Sequence, residues 1–355
     1  MLGGLVLLVC LFSWWVSGRL SSQDSKLYLL DHPNQRSLHS TPTPRTGGLA
    51  ILGGLVLGLL SVGAVLLIKS EQGVDGLLEW WPLAWIVTLS VVLAVVSFLD
   101  DRQGLPVWGR FCAQIVLASL LVIGGELAVS KVVFPLVGTW DLGPLSIVAS
   151  IVFLVWMTNV YNFMDGMDGF AGGMTIVGGL SLAFVSWTTQ HEAMALLPLL
   201  LAGSSAGFLV HNFPPARIFM GDVGSAPIGF IFGGLILWGC RQGIFDIWVP
   251  VVIFSPFIMD ATVTIIRRTV NGEKPWEAHR THYYQRLVLS GWGHRKTVLA
   301  EYGLMILCGA LAWAYHIADD SVRLGILSLW ALLMVSGMVG VYVAERMSAR
   351  LRSDG

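Results

Sequence analysis

Long apolar runs separated by short polar segments make up almost the whole chain. A helix needs about 20 apolar residues to cross the hydrocarbon core of a bilayer, and runs of roughly that length recur about eleven times. Their approximate bounds are residues 1–18, 47–68, 82–99, 111–128, 144–160, 170–189, 194–210, 226–240, 247–266, 299–316 and 324–344. The pattern predicts an all-α, polytopic integral membrane protein of about eleven transmembrane helices. It also predicts that residues 1–355 form a single membrane-embedded domain.

The distribution of positive charge predicts how the chain is oriented in the membrane. If the N-terminus lies outside, only four of the 21 Lys and Arg residues lie in outside loops, and the other 17 lie inside. The four are Lys69, Lys131, Arg241 and Arg323. Inside loops are enriched in Lys and Arg, so we expect the N-terminus outside and the C-terminus in the cytoplasm. No Lys or Arg precedes the first run, 1–18, so we interpret it as a membrane helix rather than a signal peptide.

Composition supports a membrane protein and excludes several other classes. The chain is 55% hydrophobic and 12% charged, against roughly 25% charged residues in soluble domains. A net charge of -1 gives no support for nucleic-acid binding. The four cysteines lie far apart in apolar runs, which indicates neither a disulfide framework nor a zinc site.

Five polar segments fall on the same, cytoplasmic side in this threading. They are residues 31–48, 100–110, 159–169, 211–225 and 267–296. Together they hold six of the eight histidines and ten of the sixteen arginines. Acidic, basic and cation-binding groups gathered on one face of a membrane protein indicate chemistry there.

The pair Asp100-Asp101 lies where the third helix leaves the membrane. This is the negative end of the helix dipole, where each carboxylate is disfavoured by about 0.3–1 kcal/mol. The pair is either a solvated helix end with Arg102 as its counter-charge, or a cation site or acid-base pair.

The next segment repeats a polar residue every third position, at Asn159, Asn162, Asp165 and Asp168. In a helix, this spacing would put all four on one face. The segment is either a turn that caps the next helix or a face that binds Mg²⁺ or a polar ligand.

Asp222 lies between Gly221 and Gly224 at the start of the eighth helix. It could be a simple helix cap. However, the glycines would let backbone approach a ligand closely, and the N–H groups of a helix start bind phosphate. A carboxylate beside a phosphate site favours a bridging Mg²⁺ or Mn²⁺ ion.

The largest inside loop contains His282, Arg280 and Arg286, which could recognise a phosphate. The alternative is an ordinary basic inside loop. Asp260, near the inner end of the ninth helix, is either a functional intramembrane acid or a partner of Arg267 or Arg268. In the first loop, His39 and Arg45 could meet a phosphate at the membrane surface.

Taken in order, these motifs resemble those of the polyprenyl-phosphate N-acetylhexosamine-1-phosphate transferases, the family that includes phospho-N-acetylmuramoyl-pentapeptide transferase. The resemblance covers about residues 31–297. Its motifs are Pro33-Asn34, Pro42-Thr-Pro-Arg45, Gly47-Gly48, Asp100-Asp101, Asn162-Phe-Met-Asp165-Gly-Met-Asp168-Gly, Phe219-Met-Gly-Asp222-Val-Gly-Ser225 and the loop around His282. The first loop and residues 278–286 look most like the subgroup that initiates O-antigen synthesis, a part of lipopolysaccharide and cell-wall biogenesis.

The resemblance implies an enzyme of the bacterial inner membrane with its active site on the cytoplasmic face. Undecaprenyl phosphate would attack the sugar-bearing phosphate of a UDP-N-acetylhexosamine, giving undecaprenyl-diphospho-sugar and UMP. It also implies a Mg²⁺ ion, with Mn²⁺ as an alternative, and leaves a homodimer open. The first alternative function is the phospho-N-acetylmuramoyl-pentapeptide step of peptidoglycan synthesis. The second, from another class, is a transporter of a phosphorylated solute. The sequence does not identify the sugar.

The family's residue roles carry over by motif. Asp222 matches the metal ligand, and Asp100, supported by Asp101, matches the carboxylate that deprotonates or positions the lipid phosphate; both could also hold metal. Asn162 and the catalytic candidate Asp165 line the same cleft, and Arg45 matches a position in the first loop. Asp168, Asn212 and Phe219 match positions around the nucleotide base, and His282 matches the first histidine of a His-rich loop. Tyr284 and Gln285 replace further histidines of that loop, which moves its expected role towards Arg280 and Arg286.

Overall fold

A computed structural model describes residues 2–25, 27–33, 37–69, 80–274, 277 and 279–353. Four residues used in the sequence analysis lie outside this range: Asn34 and Ala278 of the family motifs, and Lys26 and Arg36 of the charge count.

Helices dominate the described chain, as the hydropathy pattern predicts. They are α1 (Leu2–Leu20), α2 (Gly48–Lys69), α3 (Trp81–Gln103), α4 (Val107–Ser119), α5 (Leu145–Met164), α6 (Phe170–Thr188), α7 (Glu192–Asn212), α8 (Asp222–Arg241), α9 (Trp248–Ile253), α10 (Ser255–Val270), α11 (Tyr283–Leu287), α12 (Gly293–Ile317) and α13 (Asp320–Ser353). A π-helical turn, Leu120–Gly124, extends α4, and another, Val288–Trp292, joins α11 to α12. Ten of the described helical stretches are long and apolar enough to cross a membrane, which confirms the all-α polytopic fold.

The apolar run predicted at 247–266 is not one continuous helix. It is divided at Phe254 into α9 and α10. Beside the start of α9, Asp246 bonds to Tyr315 at the far end of α12, with an oxygen-to-oxygen distance of 2.9 Å. In α10, Asp260 bonds to the backbone at the start of α11. The two short helices therefore connect opposite ends of the bundle and together replace the predicted ninth span.

Burial divides the bundle into a centre and a lipid-facing periphery. In an 18-residue stretch of α8, 94% of the residues are buried, whereas in α13 the corresponding share is 6%. Helix α8 packs against α3 and α5, and α7 packs between α1 and α6. A helix that is apolar on all sides belongs either in a core or in a membrane. Helix α8 lies in the core of the bundle, and α13 lies on its lipid-facing side.

Two short hairpins complete the fold. Strands β1 (Leu30–Asp31) and β2 (Thr43–Pro44) are antiparallel, as are β3 (Lys131–Phe134) and β4 (Gly138–Asp141). After β2, the N–H of Gly47 donates to Phe219 O at 2.9 Å. A Cβ on Gly48 would lie 2.2 Å from Gly224 Cα, so this crossing of α2 and α8 requires glycine. These contacts bring the first polar loop to the start of α8.

Candidate active site

All five predicted polar segments contribute side chains to one polar cavity, of 340 Å³, at one end of the bundle. Its lining includes His39 and Arg45 from the first segment, Asp101 and Arg110 from the second, Asn162, Asp165 and Asp168 from the third, Asn212, Phe219 and Asp222 from the fourth, and His279, His282, Tyr284, Gln285 and His294 from the fifth. The five segments therefore meet at one end of the bundle.

Asp222 lies in the first turn of α8, where helix geometry and two partners fix its carboxylate. Gly221 precedes it with φ 72°, and a Cβ there would lie 2.1 Å from Arg45 O. The side-chain amide of Asn162 donates to Asp222 Oδ1 at 2.8 Å. Arg110 Nη1 lies 3.4 Å from Asp222 Oδ2. Gly221, rather than Asp222, is the N-cap residue, so the carboxylate is free of the capping role and faces the cavity.

Asp100 and Asp101 are both buried, but they face different spaces. Asp101 lines the polar cavity, 3.4 Å from Arg45 Nη1. Asp100 accepts from Leu105 N at 2.7 Å and from Arg110 Nη1 at 3.0 Å. The proposed counter-charge, Arg102, lies instead over the Phe98 ring, 4.7 Å from its centroid. Arg45 and Arg110 are therefore the cations that balance this pair, and the solvated helix end with Arg102 is wrong.

The residues of the Asn-Asp segment do not share one helical face. Helix α5 ends at Met164, and only Asn159 and Asn162 lie on it. Asn159 turns away from the polar cavity and bonds to Gln114 Oε1 at 2.7 Å. Asp165 lies at the helix end and Asp168 lies in the loop beyond it. The prediction of a single polar face is wrong because the helix stops before the segment does.

Loss of solvation around Asp165 raises its pKa well above its usual range, and the neighbouring charge of Asp222 adds to this. A hydrogen bond from the Gly221 N–H opposes the shift without cancelling it. A proton or a cation at this point would therefore relieve the repulsion between the carboxylates of Asp165 and Asp222.

Asp168 and Asn212 hold the loops around the cavity. Asp168 accepts from Ala216 N at 3.0 Å, and its other oxygen lies 3.2 Å from His294 Nδ1. The Asn212 amide accepts from Gly169 N at 2.9 Å and donates to Ile218 O at 2.8 Å. The third predicted base-site residue, Phe219, presents its ring to the cavity with the His39 ring edge-on at 4.9 Å.

The predicted cluster of His282, Arg280 and Arg286 is not assembled around the cavity. His282 lines it, but His282 Nδ1 lies 3.1 Å from Asp260 Oδ1. Arg280 is exposed and is not among the described residues that line the cavity. Arg286 pairs with Glu345 of α13. The structure thus places neither arginine where a ligand in the cavity would meet it, contrary to the sequence-based expectation.

Asp260 pairs with neither Arg267 nor Arg268. Its carboxylate accepts from Tyr283 N at 2.9 Å and from Tyr284 N at 3.0 Å. Arg267 donates to Thr281 O, and Arg268 pairs with Glu273. Asp260 therefore satisfies the free N–H groups at the start of α11 and fixes the loop that carries His282.

The sequence did not identify Arg110, His279 or His294 as site residues, although all three line the cavity. In the sequence, Arg110 is a single cation at the start of an apolar run, and this position was the signal that could have identified it. His279 has a pKa lowered to about 4, first by burial and then by the charge of His282. It is therefore neutral near pH 7 and can offer a hydrogen bond without adding charge.

Charge in the cavity is predominantly negative. Six carboxylates line it, and Arg45 and Arg110 are the arginines among the described lining residues. The carboxylates are those of Asp31, Asp101, Asp165, Asp168, Asp222 and Glu277. Among the described residues, no three His, Cys, Asp or Glu side chains form a ready-made metal cluster. Oxygen donors in excess of cations suit Mg²⁺, which is commonly held by one or two carboxylates together with substrate phosphates.

An apolar groove of 650 Å³ adjoins the polar cavity. Side chains of α3, α4 and α5, such as Val96, Ile115 and Trp156, form its walls. Both spaces share Arg110, Asn162, Phe163, Asp222 and Ile265. The groove thus leads from the lipid-facing surface to the carboxylate of Asp222.

Comparison with known proteins gives a consistent result. Residues 83–240 match the family described as Glycosyl transferase family 4. The chain is 32% identical to a probable undecaprenyl-phosphate N-acetylglucosaminyl 1-phosphate transferase of Bacillus subtilis, over 78% of this chain and 74% of the relative. It is 31% identical to a decaprenyl-phosphate N-acetylglucosaminephosphotransferase of Mycobacterium tuberculosis, over 83% and 78%. It is also 31% identical to a phospho-N-acetylmuramoyl-pentapeptide-transferase of a Synechococcus species, over 77% and 79%.

Proposed function

The chain belongs to glycosyl transferase family 4, and on that premise we propose that it transfers an N-acetylhexosamine-1-phosphate from a UDP-sugar to undecaprenyl phosphate. An oxygen of the lipid phosphate attacks the phosphorus that carries the sugar. The bond from that phosphorus to the oxygen shared with UMP breaks, and UMP leaves with the electron pair. The product is undecaprenyl-diphospho-sugar.

The junction between the polar cavity and the apolar groove carries this proposal. A water-soluble phosphate compound suits the cavity, and a long isoprenoid suits the groove. Asp222, Arg110 and Asn162 line both spaces, so the two phosphates would meet beside them. A transporter needs charged groups along a path through the membrane, whereas these groups gather at one end of the bundle.

Arg45 and Arg110 are the groups best placed to bind phosphate. Both lie at the cavity, and their side chains are 30% and 38% exposed, respectively. A guanidinium can bind a phosphate through two parallel N–H donors. Each would hold the transferring group in line and stabilise charge that develops in the transition state.

Mg²⁺ fits the carboxylates of this site. Asp222 would hold it, with Asp101 and Asp165 lining the same cavity. Bound there, the ion would neutralise the excess of carboxylates and polarise the phosphate oxygens. Without such a cation, the cavity would repel the anionic nucleotide-sugar.

Asp100 serves best as a positioning residue in this scheme. Its oxygens accept from Leu105 N and Arg110 Nη1. A prenyl phosphate is already mostly dianionic near neutral pH if its second pKa is ~6, so no base is required to activate it. Asp100 would instead hold Arg110 between the groove and Asp222.

The site would lie on the cytoplasmic face of the inner membrane, because the polar segments that build it carry most of the positive charge. We assign the reaction to the first step of a surface polysaccharide such as O-antigen. The similarity to the phospho-N-acetylmuramoyl-pentapeptide-transferase keeps the peptidoglycan step as the second candidate.

The test uses the full chain in detergent with undecaprenyl phosphate and Mg²⁺. UMP release is followed with a panel of UDP-N-acetylhexosamines and UDP-N-acetylmuramoyl-pentapeptide. The proposal expects UMP from one N-acetylhexosamine, loss of activity on addition of EDTA, and recovery with excess Mg²⁺. Asp222→Asn should lower turnover by about 10²-fold or more, whereas Asp141→Asn on the exposed β3–β4 hairpin should not. Release from the pentapeptide substrate alone would select the second candidate.

A further inference from the structure

Helix α13 carries one carboxylate at the level of the active-site loop. From residue 324 to 344 the helix has no charged side chain, and Glu345 is the first. Most of the helix is exposed on the outside of the bundle. A carboxylate beside a membrane is costly unless it is paired, so the partner of Glu345 indicates why it is there.

That partner is Arg286, one of the arginines that the sequence predicted to bind substrate. Arg286 Nε donates to Glu345 Oε1 at 2.8 Å, and Nη2 donates to Oε2. The two side chains are 15% and 32% exposed, respectively. A partly buried, two-point ion pair of this kind is stronger than an exposed surface pair.

The pair holds one face of α11, and the cavity lies on the other. Arg286 also lies over the Tyr283 ring, 4.9 Å from its centroid, and Arg267 lies over the same ring at 5.6 Å. His282, Tyr284 and Gln285 line the cavity. None of these three is among the residues that line the apolar groove.

We propose that Glu345 is a positioning residue: through Arg286 it holds α11 so that His282, Tyr284 and Gln285 face the nucleotide-sugar cavity. Asp260 holds the start of α11 from the inside of the bundle. Glu345 holds Arg286, near the end of the same helix, from the lipid-facing side. This inference rests on the proposed function for its kinetic consequence, although the contact itself does not depend on that function.

The position of α11 beside the cavity predicts which substrate has its KM changed when Glu345 is replaced. In Glu345→Gln, α11 should become mobile relative to the cavity, and the KM for the nucleotide-sugar should rise about tenfold. The KM for the lipid phosphate should stay within about twofold, because α11 does not line the groove. Arg286→Ala should behave like Glu345→Gln. A charge exchange, Arg286→Glu with Glu345→Arg, should bring the KM for the nucleotide-sugar most of the way back to the wild-type value.

The matched control is Asp320→Asn. Asp320 is the other described carboxylate of α13, and it pairs with Arg323 at the opposite end of the helix. It should leave both KM values unchanged.

Hydrogen exchange gives a readout that needs no turnover. The N–H groups of Tyr283 and Tyr284 donate to Asp260, and their exchange should accelerate in Glu345→Gln but not in Asp320→Asn. Unchanged exchange and an unchanged nucleotide-sugar KM would overturn the proposal. An equal rise in both KM values with a general loss of thermal stability would also overturn it, since that would indicate only a structural role. If the wild-type enzyme released no UMP from any sugar, the proposed function would fail, and the exchange experiment would still decide the role of Glu345.

Discussion

Arg110 Nη1 lies 3.4 Å from the carboxylate of Asp222, a residue 112 positions further along the chain. The same nitrogen lies 3.0 Å from Asp100. One guanidinium therefore connects the C-terminal end of α3 with the first turn of α8, at the boundary between the polar cavity and the apolar groove. Sequence reasoning assigned both carboxylates to the site but did not assign the arginine.

Replacing Arg110 should damage catalysis more than it damages folding. Arg110→Ala removes the cation between Asp100 and Asp222, and we expect turnover to fall by about 10²–10³-fold, as for the loss of one transition-state donor. Arg110→Lys should retain part of the activity, because it keeps the charge but loses the planar fork. The measurement is UMP release at saturating substrate. Arg102→Ala is the control, because Arg102 is exposed and lies over Phe98. Turnover of Arg110→Ala within about twofold of the control would remove Arg110 from the mechanism.

A bulky side chain in the apolar groove should affect only the lipid substrate. Ile115→Trp would narrow the space between α4 and α5, and we expect the KM for undecaprenyl phosphate to rise by about tenfold or more, because a filled groove excludes the isoprenoid. A short-chain prenyl phosphate should be less affected, and the nucleotide-sugar KM should not change. Ile123→Trp is the control, since Ile123 is exposed on the same helical stretch but is absent from the groove lining. Equal effects of the two substitutions would place the lipid elsewhere.

Asn212 should matter for stability as well as for binding. In Asn212→Ala, the Gly169 N–H and the Ile218 carbonyl lose their partner, and each buried unpaired group costs about 1–3 kcal/mol. We expect a clear fall in the thermal midpoint in detergent, together with a raised KM for the nucleotide-sugar as the loops shift. Asn271→Ala, at the exposed end of α10, serves for comparison. An unchanged thermal midpoint in Asn212→Ala would show that these two hydrogen bonds contribute little to the stability of the protein.

The lowered pKa of His279 predicts a specific pH dependence of stability. The pKa falls from an ordinary value of 6.5 to about 4, so between these values the unfolded chain binds more protons at this position than the folded protein does. Stability contributed by His279 is therefore present above pH 6.5 and is lost as the pH falls towards 4. In His279→Gln, the thermal midpoint should fall less steeply over that window than in the wild type. His191→Gln, at an exposed histidine on the other end of the bundle, should keep the wild-type slope. Parallel profiles for wild type and His279→Gln would falsify the assignment.

The hydropathy pattern by itself determined the fold class and the face that carries the site. A helix in a bilayer must be apolar along its length, so its presence is encoded locally. For the same reason, the five polar segments could be placed together before any contact was known. The ordered motifs then indicated the family, and several of their residues, including Asp222, Asn162 and Phe219, line the cavity.

Only the tertiary structure decided which side chains meet. Asp100 and Asp101 are neighbours in sequence, yet they face different spaces, because successive residues of a helix point about 100° apart. Arg286 had the chemistry of a phosphate ligand, but it is bound to Glu345, 59 positions away. Such pairings depend on how each helix is rotated and packed against its neighbours. Hydropathy and motif spacing describe each helix separately, so they contain no record of that rotation.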